Sequence, residues 1–307
     1  MNILYEGKDI THSAEVKRAD ICDNANGVAD SIDLMFTNTK NQWSDWKPQK
    51  GDSIIVKHEG FTSGKTFIRA WEQCPGEFSI KATSAPLIAR SNETRVWEGI
   101  RFSKLSGDIA SALGLEVQMF SVKDWTYDRV EQREERGLKL LQRLCIREGY
   151  ALKITDSKVV IYDERTFEQY PPAASIYSQE LIGDYKFTSK SDKLYGKCIV
   201  RCMARNGQLL QAEYSAPGVI GGSLKITEQV TSQAEAERFA RAYLRYANKN
   251  ETMGHICIRL NPNIAAGNTV EIKGVGLADG IYFVEKAVHR LAMDKTLLML
   301  RKPLEGY

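Results

Sequence analysis

The sequence has no uninterrupted apolar run of about 18 residues, the length that a helix needs to cross a bilayer. Its first residues, Met1 to Glu6, lack a basic stretch followed by an apolar one, so we expect no signal peptide. The formal net charge of the 307-residue chain is only +3, which gives no electrostatic basis for binding nucleic acid or an anionic membrane. We therefore expect no membrane insertion and no specific binding of nucleic acid.

Cysteine is scarce and dispersed. The six cysteines include no Cys-x-x-Cys pair, and a chain that is 43% hydrophobic can bury its cores without disulfides. Cys198 with Cys202, and His255 with Cys257, could in principle supply four zinc ligands from two strands. Core positions on alternating strands are the simpler interpretation. We expect reduced thiols, no metal and no cofactor.

The segment Gly60–Thr66 is the motif that most resembles a catalytic one. A phosphate-binding loop needs four residues between its glycines and must open a helix, whereas this segment has three and precedes a strand pattern. No Gly-x-Ser-x-Gly elbow occurs, and the four histidines lack metalloprotease spacing. We predict that the protein is not an enzyme.

Two alternatives from other functional classes remain open at this stage. One is a cell-wall hydrolase, because a catalytic carboxylate pair cannot be seen without a structure. The other is a carbohydrate- or base-binding module that uses Trp43 and Trp46 as a stacking platform. The simpler interpretation of the two tryptophans is a pair of anchors at the end of a strand.

Apolar periodicity predicts a mainly β, α+β protein. The first 85 residues alternate as strands do, with Ile32, Leu34 and Phe36 on one face. The last third predicts four strands, near residues 254–260, 269–274, 281–290 and 295–301. One helix interrupts this β pattern, and Ser232 with Glu235 predicts a capping box at its start.

The middle of the chain predicts an α/β unit. Ser103 is expected to cap a short helix that ends at Gly114. A second helix is expected from about Glu134 to Glu148, because four apolar residues share one face and Gly149 follows as a stop; these four are Leu138, Leu141, Leu144 and Cys145. The charged run 128–136 is interpreted as a solvated approach to this helix. A hairpin over 150–162 completes the unit.

Several of these stretches share order and spacing with one known family. Residues 127–132 contain Arg129 and Gln132, and residues 138–150 form a leucine-rich helix followed by a Glu-Gly turn. Residues 234–244, 261–270 and 280–289 supply a late helix and the closing strands, and residues 3–10 are a weaker match. Together they resemble the phage late control protein D, or baseplate hub, family. The structural motif positions are Arg129, Gln132, Leu141, Gly149, Tyr150, Gly267, Gly280 and His289.

The resemblance implies a fold of two tail-tube-like β-barrel domains with an inserted α/β domain. Residues 1–87 with 173–215 would form the first barrel, and residues 88–172 the insertion. Residues 216–307 would form the second barrel, including the helix 232–249. His289 lies at a strand end, and we interpret it as a hydrogen-bonded structural histidine.

The resemblance also implies a function and partners. The family leads us to expect a trimeric adaptor between a hexameric tail tube and a trimeric spike, in the baseplate of a contractile phage tail or a related injection particle. Its partners would be the tail tube protein, the spike protein and LysM-type or other baseplate proteins, with DNA passing through the channel. The location would be the virion, after assembly in the cytoplasm of the bacterial host.

Overall fold

The computed structural model describes residues 1–203, 207 and 209–307. Strands dominate, and they run as follows: β1 Asn2–Tyr5, β2 Lys8–Asp9, β3 Val16–Asn24, β4 Ser31–Thr37, β5 Ser53–His58, β6 Phe61–Thr62, β7 Thr66–Cys74, β8 Glu77–Thr83, β9 Asn92–Arg101, β10 Glu116–Phe120, β11 Thr126–Arg136, β12 Tyr150–Thr155, β13 Lys158–Asp163, β14 Ala174–Tyr177, β15 Lys186–Ser189, β16 Tyr195–Met203, β17 Leu209–Ser215, β18 Gly222–Thr227, β19 Thr252–Arg259, β20 Thr269–Lys273, β21 Gly280–Arg290 and β22 Lys295–Arg301. The helices are α1 Gln42–Trp46, α2 Phe102–Ala112, α3 Gly137–Glu148, α4 Glu164–Glu168 and α5 Gln233–Asn248, with 3-10 turns at Leu87–Arg90, Ser178–Glu180 and Leu291–Met293. The chain is mainly β, as predicted.

One large sheet contains both ends of the chain. Its path is β15-β19-β22-β21-β3-β4-β8-β7-β5-β1-β2, with β14, β20 and β6 attached beside it. The N-terminal and C-terminal strands meet where Asp20–Asn24 of β3 pairs antiparallel with Lys286–Arg290 of β21. Among the described strands, no sheet closes into a barrel through its own hydrogen bonds.

The N-terminal strands bury one face each, as their alternation predicts. Ile32, Leu34 and Phe36 are buried, and the residues between them are half-exposed. Trp43 lies in the same core with its ring stacked on Phe78 at a centroid distance of 4.8 Å. Trp43 is only 1% exposed, so it is a core anchor and not a surface for stacking a ligand.

The middle of the chain packs two small sheets against helices α2 and α3. The three-stranded sheet has the order β10-β13-β12, and β9 pairs with β11 as a separate ribbon. These sheets and helices share one apolar core, and its buried residues all lie between residues 89 and 161. The predicted hairpin is confirmed, and its turn residues Asp156 and Ser157 both have positive φ, as a two-residue hairpin turn requires.

The charged run 128–136 is part of strand β11, which corrects the prediction of a helix starting near residue 134. The ribbon of β9 and β11 leaves one face in water, so a strand there tolerates many charges. Arg129 Nη1 lies 2.9 Å from Glu98 Oε1 on the opposite strand. Helix α3 begins only at Gly137, after a bulge between Gln132 and Glu135.

Two predicted helix caps differ from the structure. Ser103 lies inside α2, and its N–H and hydroxyl donate to the Asp124 carboxylate at 2.8 and 2.9 Å, because a neighbouring loop supplies the acceptor. Ser232 does cap α5 by accepting from the Glu235 N–H. The Glu235 carboxylate accepts from Thr231 N–H at 2.7 Å, one residue before the position that a capping box uses.

The four predicted C-terminal strands are confirmed as β19 to β22. β14 pairs parallel with β20, and β15 pairs antiparallel with β19, so residues 174–177 and 186–189 are hydrogen-bonded to C-terminal strands. β16, β17 and β18 form a separate sheet covered by α5. The predicted domain boundaries at residues 87, 172 and 215 stay a prediction, because strand pairing alone does not define domains.

Replacing Leu141 by aspartate tests the buried face of α3. Leu141 is fully buried among leucines, so Leu141→Asp should lower the free energy of unfolding by several kcal/mol, measured by chemical denaturation. Lys139→Asp, on the exposed side of the same helix, is the control and should change stability little. Equal stability of the two variants would mean that the helix face is wrongly assigned.

Candidate functional site

The motif positions on β11 organise the β9–β11 ribbon. Arg129 bridges two acids, since its Nε lies 2.7 Å from Glu131 and its Nη1 reaches the opposite strand. Gln132 is 1% exposed, and its amide donates to the Glu135 carbonyl at 2.7 Å. Gln132 therefore closes the bulge that separates strand from helix.

The next motif positions lie at the end of α3. Gly149 adopts the left-handed conformation with φ 79°, and a Cβ there would lie 3.7 Å from Ala242 of α5. The Tyr150 hydroxyl accepts from the Lys123 N–H at 3.1 Å and so ties β12 to the loop after β10. Leu141 lies in the core between these elements.

The C-terminal motif positions shape the large sheet. Gly267 and Gly280 have φ of 98° and 135°, which glycine adopts at no steric cost. His289 is fully buried, and its Nδ1 lies 3.0 Å from Thr296 Oγ1 on β22. Burial lowers the pKa of His289, so the ring is neutral near pH 7. The eight motif positions do not converge on one site, and their role in the family motif stays a prediction.

The glycine loop at residues 60–66 is a packing contact with the α/β unit. A strand follows it, as predicted. Gly64 has φ 65°, and a Cβ on it would lie 2.5 Å from the Asp156 Cβ. The Lys65 N–H donates to the Asp156 carboxylate at 2.9 Å. Glycine is required here by close approach to a hairpin turn.

The candidate zinc ligands are divided between two sheets. Cys198 and Cys202 are buried under α5 on β16, while His255 and Cys257 lie on β19. Over residues 1–203, 207 and 209–307, no group of three or more histidine, cysteine or acidic side chains is arranged to hold a metal ion. Within the same residues, no helix has both the length and the apolar character needed to span a membrane.

A group of polar contacts, called the polar joint here, connects β3, β12 and the loop between β19 and β20. Lys153 of β12 pairs with Asp23 of β3 and donates to the Ala266 carbonyl at 3.1 Å. The second Asp23 oxygen accepts from the Ala266 N–H at 2.8 Å. Asp30 lies beside the pair and accepts from the Asn24 N–H. The side chains of Asp23, Asp30 and Lys153 border a cavity of about 170 Å³.

Asp30 is the unusual acid of this joint. Burial, followed by the charge of Asp23, raises the pKa of Asp30 to about 7. Lys153 acts in the opposite direction but is shared with Asp23. Asp30 therefore exchanges between its neutral and ionised forms near pH 7, unlike an ordinary carboxyl group.

A cluster of six buried charged residues lies where α4, α5 and strands β21 and β22 meet. Each residue is less than a tenth exposed, and three acids balance three bases. α4 belongs to the chain segment of the α/β unit, and the two strands belong to the large sheet. The members are Glu164, Glu168, Arg245, Lys249, Glu285 and Arg301.

Arg301 is the centre of this ionic cluster. It is fully buried and pairs with all three acids, its Nη2 lying 3.1 Å from Glu164 Oε1. Its guanidinium also lies over the Phe283 ring, 4.4 Å from the centroid. Burial alone would lower the pKa of Arg301, but Glu164, Glu168 and Glu285 raise it above its ordinary value.

The other two bases are Arg245 of α5 and Lys249, the residue that follows this helix. Arg245 Nη2 lies 2.5 Å from Glu168, and Lys249 Nζ lies 3.1 Å from Glu164. Burial would raise the pKa of Glu164, but the three bases hold it at about 2. These shifts keep Glu164 and Arg301 charged near neutral pH, and the ion pairs of the cluster fix α4 and α5 against the sheet.

Sequence reasoning missed this ionic cluster, although its sequence carries a signal. Glu164 and Glu168, like Arg245 and Lys249, are four residues apart and so lie on one helix face. Glu285 follows the apolar run Ile281–Val284, and Arg301 ends the apolar run Leu297–Leu300. Charges at positions where the periodicity demands apolar residues indicate a buried network.

No protein-family model and no curated protein matches the sequence. Solved structures do match. A tail protein from Neisseria meningitidis MC58 has a TM-score of 0.78 at 16% identity, covering 98% of this chain and 95% of that one. The 43 kDa tail protein of prophage MuSo2 from Shewanella oneidensis has a TM-score of 0.76 at 12% identity, with 98% of both chains covered.

An Escherichia coli component of the type VI secretion system is also similar, with a TM-score of 0.61 at 11% identity, covering 99% of this chain and 78% of that one. That component is described as structurally similar to the bacteriophage T4 tail proteins gp27 and gp5. At these identities the matches establish a shared fold. This chain has the fold of these tail and secretion proteins.

Arg301→Met tests the ionic cluster. It would leave Glu168 and Glu285 buried with fewer partners, so the free energy of unfolding should fall by about 3–5 kcal/mol in chemical denaturation. The control is Arg129→Met, which removes two solvent-exposed pairs, with Glu98 and Glu131, and should lower stability far less. Similar losses for the two variants would contradict a special role for burial.

Asp30→Asn tests the polar joint. Folding raises the pKa of Asp30, so the folded state favours the protonated carboxyl group. The resulting contribution to the free energy of unfolding is fully present below pH 4 and declines as the pH rises toward 7. Asp30→Asn should therefore raise the free energy of unfolding at pH 8, by on the order of 1–3 kcal/mol, and flatten its decline between pH 4 and 7.

The control for this substitution is Asp33→Asn, three residues further along the chain in β4. It removes a half-exposed pair with Arg18 and should change stability at pH 8 by less than about 1 kcal/mol. A destabilised Asp30→Asn variant at pH 8 would show that the ionised carboxylate is the favoured form.

Proposed function

We propose that this chain is a structural baseplate hub of a contractile phage tail or a related injection particle. The observation that carries the proposal is the match with the Neisseria tail protein over 98% of this chain and 95% of that one. This chain also shares its fold with a secretion-system component that is described as similar to gp27 and gp5. That similarity supports a position in the hub rather than elsewhere in the tail. The motif residues 127–150 and 261–289 point the same way.

The finer proposal is a trimer that joins a hexameric tail tube to a trimeric spike. Two similar β-barrel domains in one chain let three copies present six equivalent surfaces. Two features support this: the N-terminal and C-terminal strands have separate hydrophobic clusters, and β3 and β21 join them. Assembly as a ring would cover the free strands β2 and β15 at the two ends of the large sheet.

The proposed architecture assigns residues 88–172 to an α/β domain inserted in the first barrel, between its segments 1–87 and 173–215. A rigid attachment suits an adaptor, because its two barrels must hold a fixed relative orientation to match six tube subunits. The ionic cluster and the joint at Asp23 and Lys153 would supply that rigidity. The partners would be the tube protein, the spike protein and other baseplate proteins, with DNA passing through the channel and the location in the virion.

We propose a non-enzymatic role. The glycine loop packs against a hairpin turn and is followed by a strand, which is the wrong geometry for a phosphate site. Trp43 is in the core, so it cannot form a platform with Trp46 for a carbohydrate. A hydrolase would need an accessible carboxylate pair, whereas Glu164, Glu168 and Glu285 are buried in ion pairs.

An electron-microscopy map of the assembled particle tests the adaptor. We expect three copies of this chain on the central axis, between the tube and the spike, with their barrels in pseudo-sixfold order. A particle assembled without this chain is the control, and its map should lack this ring. Six copies, or a position away from the axis, would contradict the proposal.

A further inference from the structure

Strand β10 leaves an open edge on the α/β unit. It pairs with β13 on one side, and in the described part of the chain no strand pairs with its other side. Each of its five residues is exposed or half-buried, whereas most residues of β12 are buried. The backbone groups along this edge are thus available to a further strand.

An aromatic ridge runs from the end of this edge. The Phe120 and Phe167 rings are 6.3 Å apart, and Phe167 and Tyr170 are 4.9 Å apart. Phe120 is 45% exposed and Tyr170 is 50% exposed. Tyr162 anchors the ridge from inside, with its ring 4.4 Å from Phe167. The ridge joins an exposed apolar surface to the end of β10.

Several other free edges carry features that prevent strand addition. β2 and β6 have two residues each, and β9 and β11 are heavily charged. β15 begins with Lys186 and is followed by Lys190. β10 has no lysine, proline or bulge, and its one charge is Glu116 at its start. Natural proteins protect edges that must stay unpaired, so an unprotected edge beside exposed aromatics indicates a binding surface.

We propose that β10 and the ridge of Phe120, Phe167 and Tyr170 bind an extended segment of another protein, which adds to the sheet as a strand. The backbone edge requires an extended occupant, and the ridge requires apolar side chains at alternate positions. The stretch from Val117 to Ser121 is uncharged, and Glu116 forms no ion pair with any residue that the structure describes. The occupant is therefore uncharged along its centre and basic at the end beside Glu116. This surface does not depend on the proposed hub function.

A capped heptapeptide of alternating valine and threonine, with a lysine at each end, is the probe. We expect it to slow amide hydrogen exchange over residues 116–120 of the full-length chain and to bind saturably. A twin peptide with glutamate in place of both lysines should bind several-fold more weakly, because it meets Glu116. Phe120→Asp should weaken binding by roughly tenfold.

Tyr185→Asp is the matched control, because Tyr185 is also an exposed aromatic, at 48%, but lies outside the ridge. It should leave binding unchanged. If Phe120→Asp does not fold, judged by its melting temperature, Tyr170→Ser replaces it and should weaken binding several-fold. The proposal fails if the probe protects no amide of β10, or if the ridge variants bind as tightly as the control. It also fails if the chain without peptide pairs with itself through β10, since the occupant is then a second copy.

Discussion

The neutralisation of Arg301 inside the protein is the constraint on which the rest of the structure depends. A fully buried guanidinium is tolerated only if acids reach it from several directions, and here they come from α4 and β21. The two further bases, Arg245 and Lys249, then complete the charge balance. Helix α4, helix α5 and the paired strands β21 and β22 must therefore arrive together. Buried ion pairs depend on the distance and direction between their atoms, so a shift of one element against another leaves charged groups unsatisfied.

The polar joint at Asp23 and Lys153 repeats this logic on a smaller scale. It adds a second fixed point between the large sheet and the hairpin of β12 and β13, and Gly64 against Asp156 adds a third contact. With the ionic cluster, these contacts join the α/β unit to the large sheet at three places.

The sequence predicted local structure where periodicity was strong. The hairpin of β12 and β13, the four C-terminal strands and the cap of α5 at Ser232 follow from alternation and turn chemistry. The predicted start of α3 was wrong because a charged run suits an exposed β-ribbon as well as a helix. Only the pairing of β11 with β9 decides between the two structures. The ionic cluster could not be derived because its members are far apart in the chain, and periodicity does not report which faces meet.

The antiparallel pairing of β3 with β21 also has a consequence for folding. Asp23 and Ala266, which meet beside this pairing, are 243 residues apart in the sequence. A contact of such long range closes slowly, because the entropy of loop closure is lost before the contact contributes. During synthesis, β3 leaves the ribosome long before its partner exists and keeps one edge unpaired meanwhile. The nascent chain thus passes through a prolonged stage in which it can aggregate, and that stage ends only when the last strands are made.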